Sequence, residues 1–271
     1  MDIEDVLRAA SLLQNQGISS TLDSLGENVS SPDQARQSAE VYHRLLDAIA
    51  DRKLNANVSV KLTQMGMDLS PDLAGEIVSG LVDHAVAVNN FVRIDMEGSP
   101  YTQATIDLTR SLHAQPANRG HVGVVIQAYL YRSADDIAAL TADGIRIRLC
   151  KGAYKEPPAL AFPEKSAVDA NYVRLTQSLL TSSIYHGIAT HDETMISAAK
   201  EFVRQRGISK STFEFQMLYG IRRDLQRLLV AEGYHVRVYT PFGAEWYPYF
   251  MRRLAERPAN VLFLAKNMLK S

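Results

Sequence analysis

The chain has 271 residues, 46% of them hydrophobic, so it can bury a large core, and its length suits a single α/β barrel. A net charge of −1 with scattered basic residues excludes the basic surface that nucleic-acid-binding proteins use, so no nucleic-acid partner is expected. The single cysteine, Cys150, excludes an internal disulfide framework. No apolar run reaches the roughly 18 residues that could span a bilayer, and the histidines show no metal-ligand spacing. We therefore expect a soluble, cytoplasmic protein without a bound metal.

Eight short β-branched runs recur along the chain, and a helical pattern follows each of them. The predicted strands are residues 18–23, 57–63, 91–97, 123–129, 145–150, 185–190, 212–218 and 235–241. The predicted helices are residues 32–53, 71–90, 102–113, 134–143, 165–182, 193–205, 221–232 and a last one from Trp246 onward. Serine–proline pairs predict helix starts at Ser31 and Ser70. Glycines predict helix ends at Gly120, Gly144, Gly207 and Gly233.

Strict alternation of strand and helix predicts a parallel sheet, and eight units is the number that closes a barrel. The structural rival is a doubly wound open sheet, which uses fewer strands and a glycine-rich first turn. Here the segment 23–27 after the first strand lacks the G-x-G-x-x-G pattern of that turn. The sequence therefore predicts one (β/α)8 barrel domain over residues 1–271.

Polar side chains fall near the carboxyl end of nearly every predicted strand, where a barrel places its active site. From the second strand to the eighth they are Lys61, Asp95, Glu97, Gln127, Arg148, Lys151, Thr190, His191, Asp192, Glu214, Gln216 and Tyr239. Taken singly, each has a structural explanation: Lys61 and Asp95, for example, could be a buried ion pair that ties two adjacent strands together. Their concurrence at one end of the barrel instead favours a binding site.

The last predicted helix carries Tyr249, Arg252 and Arg253 at positions i, i+3 and i+4, so one phenol and two guanidiniums share a helix surface. Adjacent arginines repel each other unless an anion lies between them, and arginine grips a carboxylate with two hydrogen bonds. With Arg148 and Lys151, the basic groups of the rim outnumber its acids, so we expect the site to bind anions. Because no nucleophile with its base is recognisable, an organic cofactor is the economical source of the chemistry.

Eight ordered segments resemble the flavin-dependent proline dehydrogenases over about residues 17–260. They are residues 21–27, 58–63, 93–97, 125–129, 148–154, 189–192, 213–220 and the closing pattern Tyr239…Tyr249-x-x-Arg252-Arg253-x-x-Glu256. The resemblance implies a distorted (β/α)8 barrel that holds FAD and oxidises L-proline to 1-pyrroline-5-carboxylate. A hydride would pass from proline C5 to flavin N5, and the electrons would go on to a quinone.

The resemblance also implies roles for individual residues. Arg252 and Arg253 would clamp the proline carboxylate, Lys61 would pair with the same carboxylate, and Asp95 would hold Lys61. The ring pocket would be lined by Leu218, Tyr239 and Tyr249. The flavin contacts would come from Gln127, Arg148, Lys151, Ala153, Thr190, His191, Gln216 and Glu256, with Arg148 near N5.

The partners implied by the resemblance are L-proline, a membrane quinone and, transiently, 1-pyrroline-5-carboxylate dehydrogenase. Peripheral association with the inner face of the membrane would bring the protein to its quinone. The apolar, lysine-bearing segment 261–270 could contact that membrane, cover the barrel as a lid or pack as an ordinary helix. Two other functions stay open: a phosphate-binding aldolase or isomerase with Lys61 as a Schiff-base amine, and a non-catalytic barrel that binds an anion. Within the flavoenzyme interpretation, hydroxyproline or another cyclic amino acid stays open as substrate.

Overall fold

The computed structural model describes residues 2–243, and its eight parallel strands close into a barrel in chain order. The strands are β1 (Ser19–Ser24), β2 (Ala56–Val60), β3 (Val92–Ile94), β4 (Val122–Gln127), β5 (Arg146–Cys150), β6 (His186–Ala189), β7 (Phe213–Leu218) and β8 (His235–Phe242). The ring closes where β1 pairs with β8, with Thr21 opposite Tyr239. The predicted (β/α)8 barrel is confirmed.

Helices surround the barrel. They are α1 (Ile3–Gln14), α2 (Pro32–Asp51), α3 (Pro71–Ala87), α4 (Ser99–Ala114), α5 (Ser133–Ala142), α6 (Lys165–Leu180), α7 (Glu193–Arg206) and α8 (Arg223–Ala231). Helices α2 to α8 follow β1 to β7 as predicted, whereas α1 precedes the first strand and was not predicted. The predicted helix from Trp246 and the segment 261–270 lie outside the described residues.

The predicted helix starts are confirmed by their hydrogen bonds. Ser31 Oγ accepts from the backbone N–H of Gln34 at the start of α2, and Ser70 Oγ accepts from that of Leu73 at the start of α3. Each serine thereby satisfies an N–H that has no partner within the helix. The unpredicted α1 begins in the same way, because Asp2 and Asp5 form a capping box.

The strands separate an apolar outer face from a polar interior. Ile94, Ile147 and Phe215 point outward into the hydrophobic core, which lies between the strands and the helices. The residues that alternate with them, such as Asp95 and Arg148, point into the barrel. A polar interior is costly unless its groups are paired or bind a ligand, so the partners of these side chains matter for function. Among residues 2–243, no helix is long and apolar enough to cross a membrane.

Candidate active site

A chain of hydrogen-bonded side chains crosses the carboxyl end of the barrel. Lys61 Nζ donates to Asp23 Oδ2 over 2.9 Å, and Arg148 Nη1 donates to Asp95 Oδ1 over 2.8 Å. The Tyr239 hydroxyl joins these two ion pairs, because it lies 2.6 Å from Asp23 Oδ2 and 2.8 Å from Asp95 Oδ2. We call this series, Lys61–Asp23–Tyr239–Asp95–Arg148, the mouth chain. A phenol has one proton to donate, so it serves one of the two carboxylates at a time and links them.

Lys61 and Asp95 are the first residues after β2 and β3. These strands end earlier than predicted, at Val60 and Ile94. Beyond them, Glu97 accepts hydrogen bonds from the backbone N–H and the hydroxyl of Thr63, at 3.1 and 2.6 Å. Side-chain bonds therefore replace the strand ladder at the point where the polar groups converge.

Asp95 is a buried carboxylate that its neighbours keep charged. Burial acts to raise the pKa of Asp95, but Arg148 and Lys61 outweigh it and hold that pKa below its ordinary value. Ser59 adds a hydrogen bond of 2.6 Å to Oδ1. The site therefore presents a fixed negative charge between two cations at neutral pH.

Arg148 is held from several sides. Its Nε donates to Gln216 Oε1 over 2.5 Å, and its guanidinium lies 5.2 Å from the centre of the Tyr239 ring. Gln216 can cross the interior because residue 187 is a glycine: a Cβ there would lie 2.3 Å from Gln216 Nε2. Gln216 also donates to Glu214 Oε1 over 2.6 Å, so the two alternate residues of β7 interact within the barrel as their spacing indicates.

The predicted excess of basic groups is not found among residues 2–243. Lys61 and Arg148 each pair with a carboxylate of the mouth chain. Lys151 pairs with two, Asp169 at 2.5 Å and Asp192 at 2.9 Å. The sequence analysis did not place Asp23 or Asp169 at the rim, and α6 brings Asp169 to Lys151. The predicted excess of basic groups depends on Arg252 and Arg253, which lie outside the described residues, and stays a prediction.

His191 presents a hydrogen-bond donor that the described residues do not use. Its Nε2 accepts from the backbone N–H of Leu218 over 3.2 Å, so in the neutral ring the proton lies on Nδ1. Burial, with a smaller effect of Arg222, lowers the pKa of His191 to about 4, and the ring is neutral at physiological pH. Nδ1 is buried and has no hydrogen-bond partner within residues 2–243. A buried N–H without an acceptor is costly, which indicates a ligand with acceptor atoms at this position.

The other predicted cofactor residues lie on the same side of the barrel. Gln127 ends β4 and donates to Glu97 O over 2.9 Å, and Thr190 follows β6 and accepts from the backbone N–H of Asp192 over 3.1 Å. Ala153 lies half-buried in the loop after β5. In that loop Gly152 has φ +112°, and a Cβ on it would lie 2.3 Å from the Tyr129 ring. Residues from three neighbouring strands thus form one continuous rim.

Four predicted site residues, Tyr249, Arg252, Arg253 and Glu256, lie outside the described residues, so the carboxylate clamp stays a prediction. Leu218, the last residue of β7, lies directly opposite Tyr239 of β8 in the strand register. Among residues 2–243 no group of three or more metal-ligating side chains is placed to hold an ion.

Asp23 is the residue of this site that sequence reasoning missed. The sequence analysis expected Asp95 to hold Lys61, but in the structure Lys61 forms its ion pair with Asp23. The charge of Lys61 also lowers the pKa of Asp95. The signal was present, since Asp23 follows Thr21 by two positions and so points into the barrel near the end of its strand. The survey of strand ends began at the second strand and passed over it.

Comparisons with known proteins agree with this geometry. The sequence model of a family described as proline dehydrogenase matches residues 6–266. Proline dehydrogenase 2 of Bacillus subtilis strain 168 is 45% identical over 258 residues, which cover 95% of this chain and 84% of that protein. Proline dehydrogenase of Deinococcus radiodurans is 42% identical over 271 residues, covering 99% and 87% respectively.

A solved structure of proline utilization A from Bdellovibrio bacteriovorus, inactivated by N-propargylglycine, has a similar fold. The TM-score is 0.87 at 25% identity, and the match covers 93% of this chain. This chain spans only 31% of that larger protein. The family match and the two bacterial relatives extend over nearly the whole chain, and the chain therefore belongs to the proline dehydrogenase family, a family of flavin-dependent oxidoreductases that act on a CH–NH group.

Proposed function

We propose that this protein oxidises L-proline to 1-pyrroline-5-carboxylate with FAD as the hydride acceptor, as the first step of proline catabolism. The observation that carries the proposal is the mouth chain. In it, four residues that lie on or just after four different strands belong to one hydrogen-bonded network: Lys61, Asp95, Arg148 and Tyr239. These are four of the residues that resemblance to the family assigns to substrate and flavin. Family membership supports the same reaction.

The residues on the β4–β6 side of the rim fit FAD. His191 Nδ1–H needs an acceptor, and a dinucleotide is rich in acceptor oxygens and nitrogens. Gln127 and Thr190 lie at the ends of β4 and β6, and the loop that bears Lys151 and Ala153 follows β5 between them. Arg148 of β5 also bonds to Asp95 of the mouth chain. We assign Gln216 and Glu256 to this cofactor site as well. The chemistry supplied by FAD when it is bound is the acceptance of a hydride at N5.

The protein's own groups bind and orient the substrate. The Lys61 ammonium has three N–H donors, so it can hold Asp23 and a substrate carboxylate together. We assign that carboxylate to Lys61, Arg252 and Arg253, and the ring to Leu218, Tyr239 and Tyr249. The proline amine must be neutral when hydride leaves C5, because its lone pair then forms the C=N bond. Burial of the mouth chain limits the access of water to this step.

The Lys61–Asp23 ion pair disfavours the aldolase alternative. A Schiff-base lysine must reach its carbonyl substrate as a neutral amine. Lys61 is buried and lies 2.9 Å from a fully buried carboxylate, and that neighbour favours the ammonium form.

We further propose that residues 1–271 form one catalytic domain in the cytoplasm, and that its electrons pass to a membrane quinone at the inner face of the membrane. Transient contact with 1-pyrroline-5-carboxylate dehydrogenase would carry the reactive product onward. These partners rest on the family resemblance.

The test is an anaerobic titration of the FAD-reconstituted protein with L-proline, followed by flavin absorbance. We expect L-proline to bleach the flavin, while D-proline and pyrrolidine, which lacks the carboxylate, leave it oxidised. A yellow protein that L-proline does not bleach would contradict the substrate, and titration with hydroxyproline would then test the nearest alternative. A colourless protein that takes up no FAD would contradict the proposal as a whole.

A further inference from the structure

Asp23 is a fully buried carboxylate whose two oxygens serve different parts of the molecule. Oδ2 accepts from Lys61 Nζ at 2.9 Å and from the Tyr239 hydroxyl at 2.6 Å. Oδ1 accepts from the hydroxyl of Tyr42, a residue of α2, at 3.1 Å. One oxygen thus faces the candidate substrate groups and the other faces the surrounding helices.

We propose that Asp23 is a positioning residue for substrate recognition: through Oδ2 it fixes the ammonium of Lys61 and the phenol of Tyr239 in the geometry that binds the substrate. This inference rests on the proposed function. Lysine carries its charge on a flexible four-carbon stem. An ammonium that no neighbour holds in place must be ordered when the substrate binds, and the entropy lost in that ordering weakens substrate binding. Asp23 removes that cost before the substrate arrives.

The same oxygen sets the orientation of Tyr239. The hydroxyl lies between two carboxylates and can donate to only one of them, so the charge of Asp23 decides how the Tyr239 proton is shared with Asp95. Both groups that Asp23 holds come from strands next to its own in the barrel, β2 and β8. Asp23 therefore links Lys61, which would bind the substrate carboxylate, to Tyr239, which would line the ring pocket.

The rival explanation is that Asp23 only ties β1 to the helical layer. Tyr42 provides the matched control, because its hydroxyl contacts Oδ1, whereas Lys61 bonds to Oδ2. The same hydroxyl accepts from Ser24 N and lies 3.1 Å from Gln64 Oε1. Tyr42→Phe removes that anchorage without touching Oδ2. Asp23→Asn keeps the shape of the side chain but removes its charge.

The experiment compares steady-state kinetics of the FAD-reconstituted wild type, Asp23→Asn and Tyr42→Phe with L-proline, together with flavin content. We expect Asp23→Asn to raise KM about 10- to 100-fold, the range for losing a hydrogen bond to a charged group, with a much smaller fall in kcat. We expect Tyr42→Phe to lower thermal stability and change KM by less than about threefold. The affinity of an isostere in which oxygen replaces the amine of proline should fall in parallel with the rise in KM.

A double variant that removes both charges of the Lys61–Asp23 pair extends the test without leaving one buried charge unpaired. The part of the effect that acts through Lys61 is lost once Lys61 is replaced, so Asp23→Asn should raise KM much less in the Lys61→Met background than in the wild type, and the remainder reports its contact with Tyr239. This comparison also decides the matter if Asp23→Asn does not fold. An unchanged KM in Asp23→Asn, an equal rise in Tyr42→Phe, or multiplicative effects in the double variant would overturn the inference. A wild-type holoenzyme that L-proline does not reduce would instead refute the proposed function.

Discussion

The mouth chain and the layer of charges beneath it are both buried, yet their partners differ. We call the lower set the floor layer; its members are Arg93, Arg146, Glu214 and Arg237. Arg93 donates to the backbone carbonyls of Val124 and Arg146 at 3.1 and 2.6 Å, and Arg237 donates to Ser20 O at 2.7 Å. In the mouth chain each charged group pairs with another side chain, whereas in the floor layer these bonds to carbonyls stand beside one ion pair, Arg237–Glu214 at 2.7 Å.

This difference distinguishes buried charges that stabilise the fold from buried charges that belong to the candidate site. The guanidiniums of Arg93 and Arg146 lie 4.7 and 4.5 Å from the centre of the Phe91 ring, so aromatic faces and carbonyls, rather than a ligand, compensate for their burial. The mouth chain pins flexible side chains to one another at the end of the barrel where ligands bind. Buried charge alone therefore does not identify a site; the position of the charge at the carboxyl end of the barrel has to be considered as well.

Glu214 is the residue whose loss should affect the floor layer most. Its Oε1 accepts from Arg237 Nε at 2.7 Å and from Gln216 at 2.6 Å, and the pair is almost fully buried. We expect Glu214→Gln to cost about 3–5 kcal/mol of unfolding free energy, because it leaves a buried guanidinium without its counter-ion. Chemical denaturation measures this loss, and KM for proline in the remaining folded enzyme should hardly change.

The control for Glu214→Gln is Glu201→Gln on α7. Glu201 pairs with Arg204 at 2.6 Å, but both side chains are about half exposed or more. An exposed pair of this kind contributes little to stability, because water screens the two charges. Equal losses in the two variants would contradict the structural importance assigned to the floor layer.

The sequence predicted the strand–helix alternation because every strand and its following helix carry their own local pattern. It missed α1, since that helix precedes the first strand and belongs to no strand–helix unit, although Val6, Leu7 and Leu13 mark its buried face. The strand ends of β2 and β3 were placed too late, because Lys61 and Asp95 continue the alternation after the ladder has ended.

Which side chains pair with each other inside the site was harder to predict than which residues belong to it. The residues at the strand ends were recognised one by one, but a lysine side chain can reach either neighbouring strand. The sequence favoured Asp95 on β3, whereas the barrel places Asp23 on β1 beside Lys61. The contact between Asp23 and Tyr239 joins residues 216 positions apart and exists only because β1 and β8 close the ring.

Arg148 offers the sharpest test of the mouth chain. We expect Arg148→Met to lower kcat/KM for proline about 10²- to 10³-fold, the usual cost of removing one preorganised charged donor from an active site. It would also remove the strongest influence that lowers the pKa of Asp95, so this carboxyl would protonate at higher pH. Kinetics with a quinone analogue as acceptor, normalised to bound flavin, measure the change.

Arg93→Met is the matched variant for Arg148→Met, two residues lower in the polar interior. It removes a guanidinium of the same size whose bonds go to backbone carbonyls. We expect it to reduce stability and to leave kcat/KM of the folded holoenzyme within about threefold of the wild type. If both variants lost activity to the same extent, the division between mouth chain and floor layer would be wrong.

The smallest expected effect concerns His186, a buried residue at the amino end of β6. Burial, followed by Arg93 and Arg146, lowers the pKa of His186 from 6.5 to about 3, and its Nδ1 accepts from Ile147 N–H at 3.0 Å. Below pH 6.5 the unfolded chain takes up a proton that the folded protein refuses, so stability falls as the pH falls. Between pH 6.5 and about pH 5 we expect this histidine to account for about 2 kcal/mol of that loss. His186→Gln, whose amide oxygen can still accept from Ile147, should flatten the pH dependence of the unfolding free energy by this amount. An unchanged slope would show that the pKa of His186 is not lowered in the folded protein.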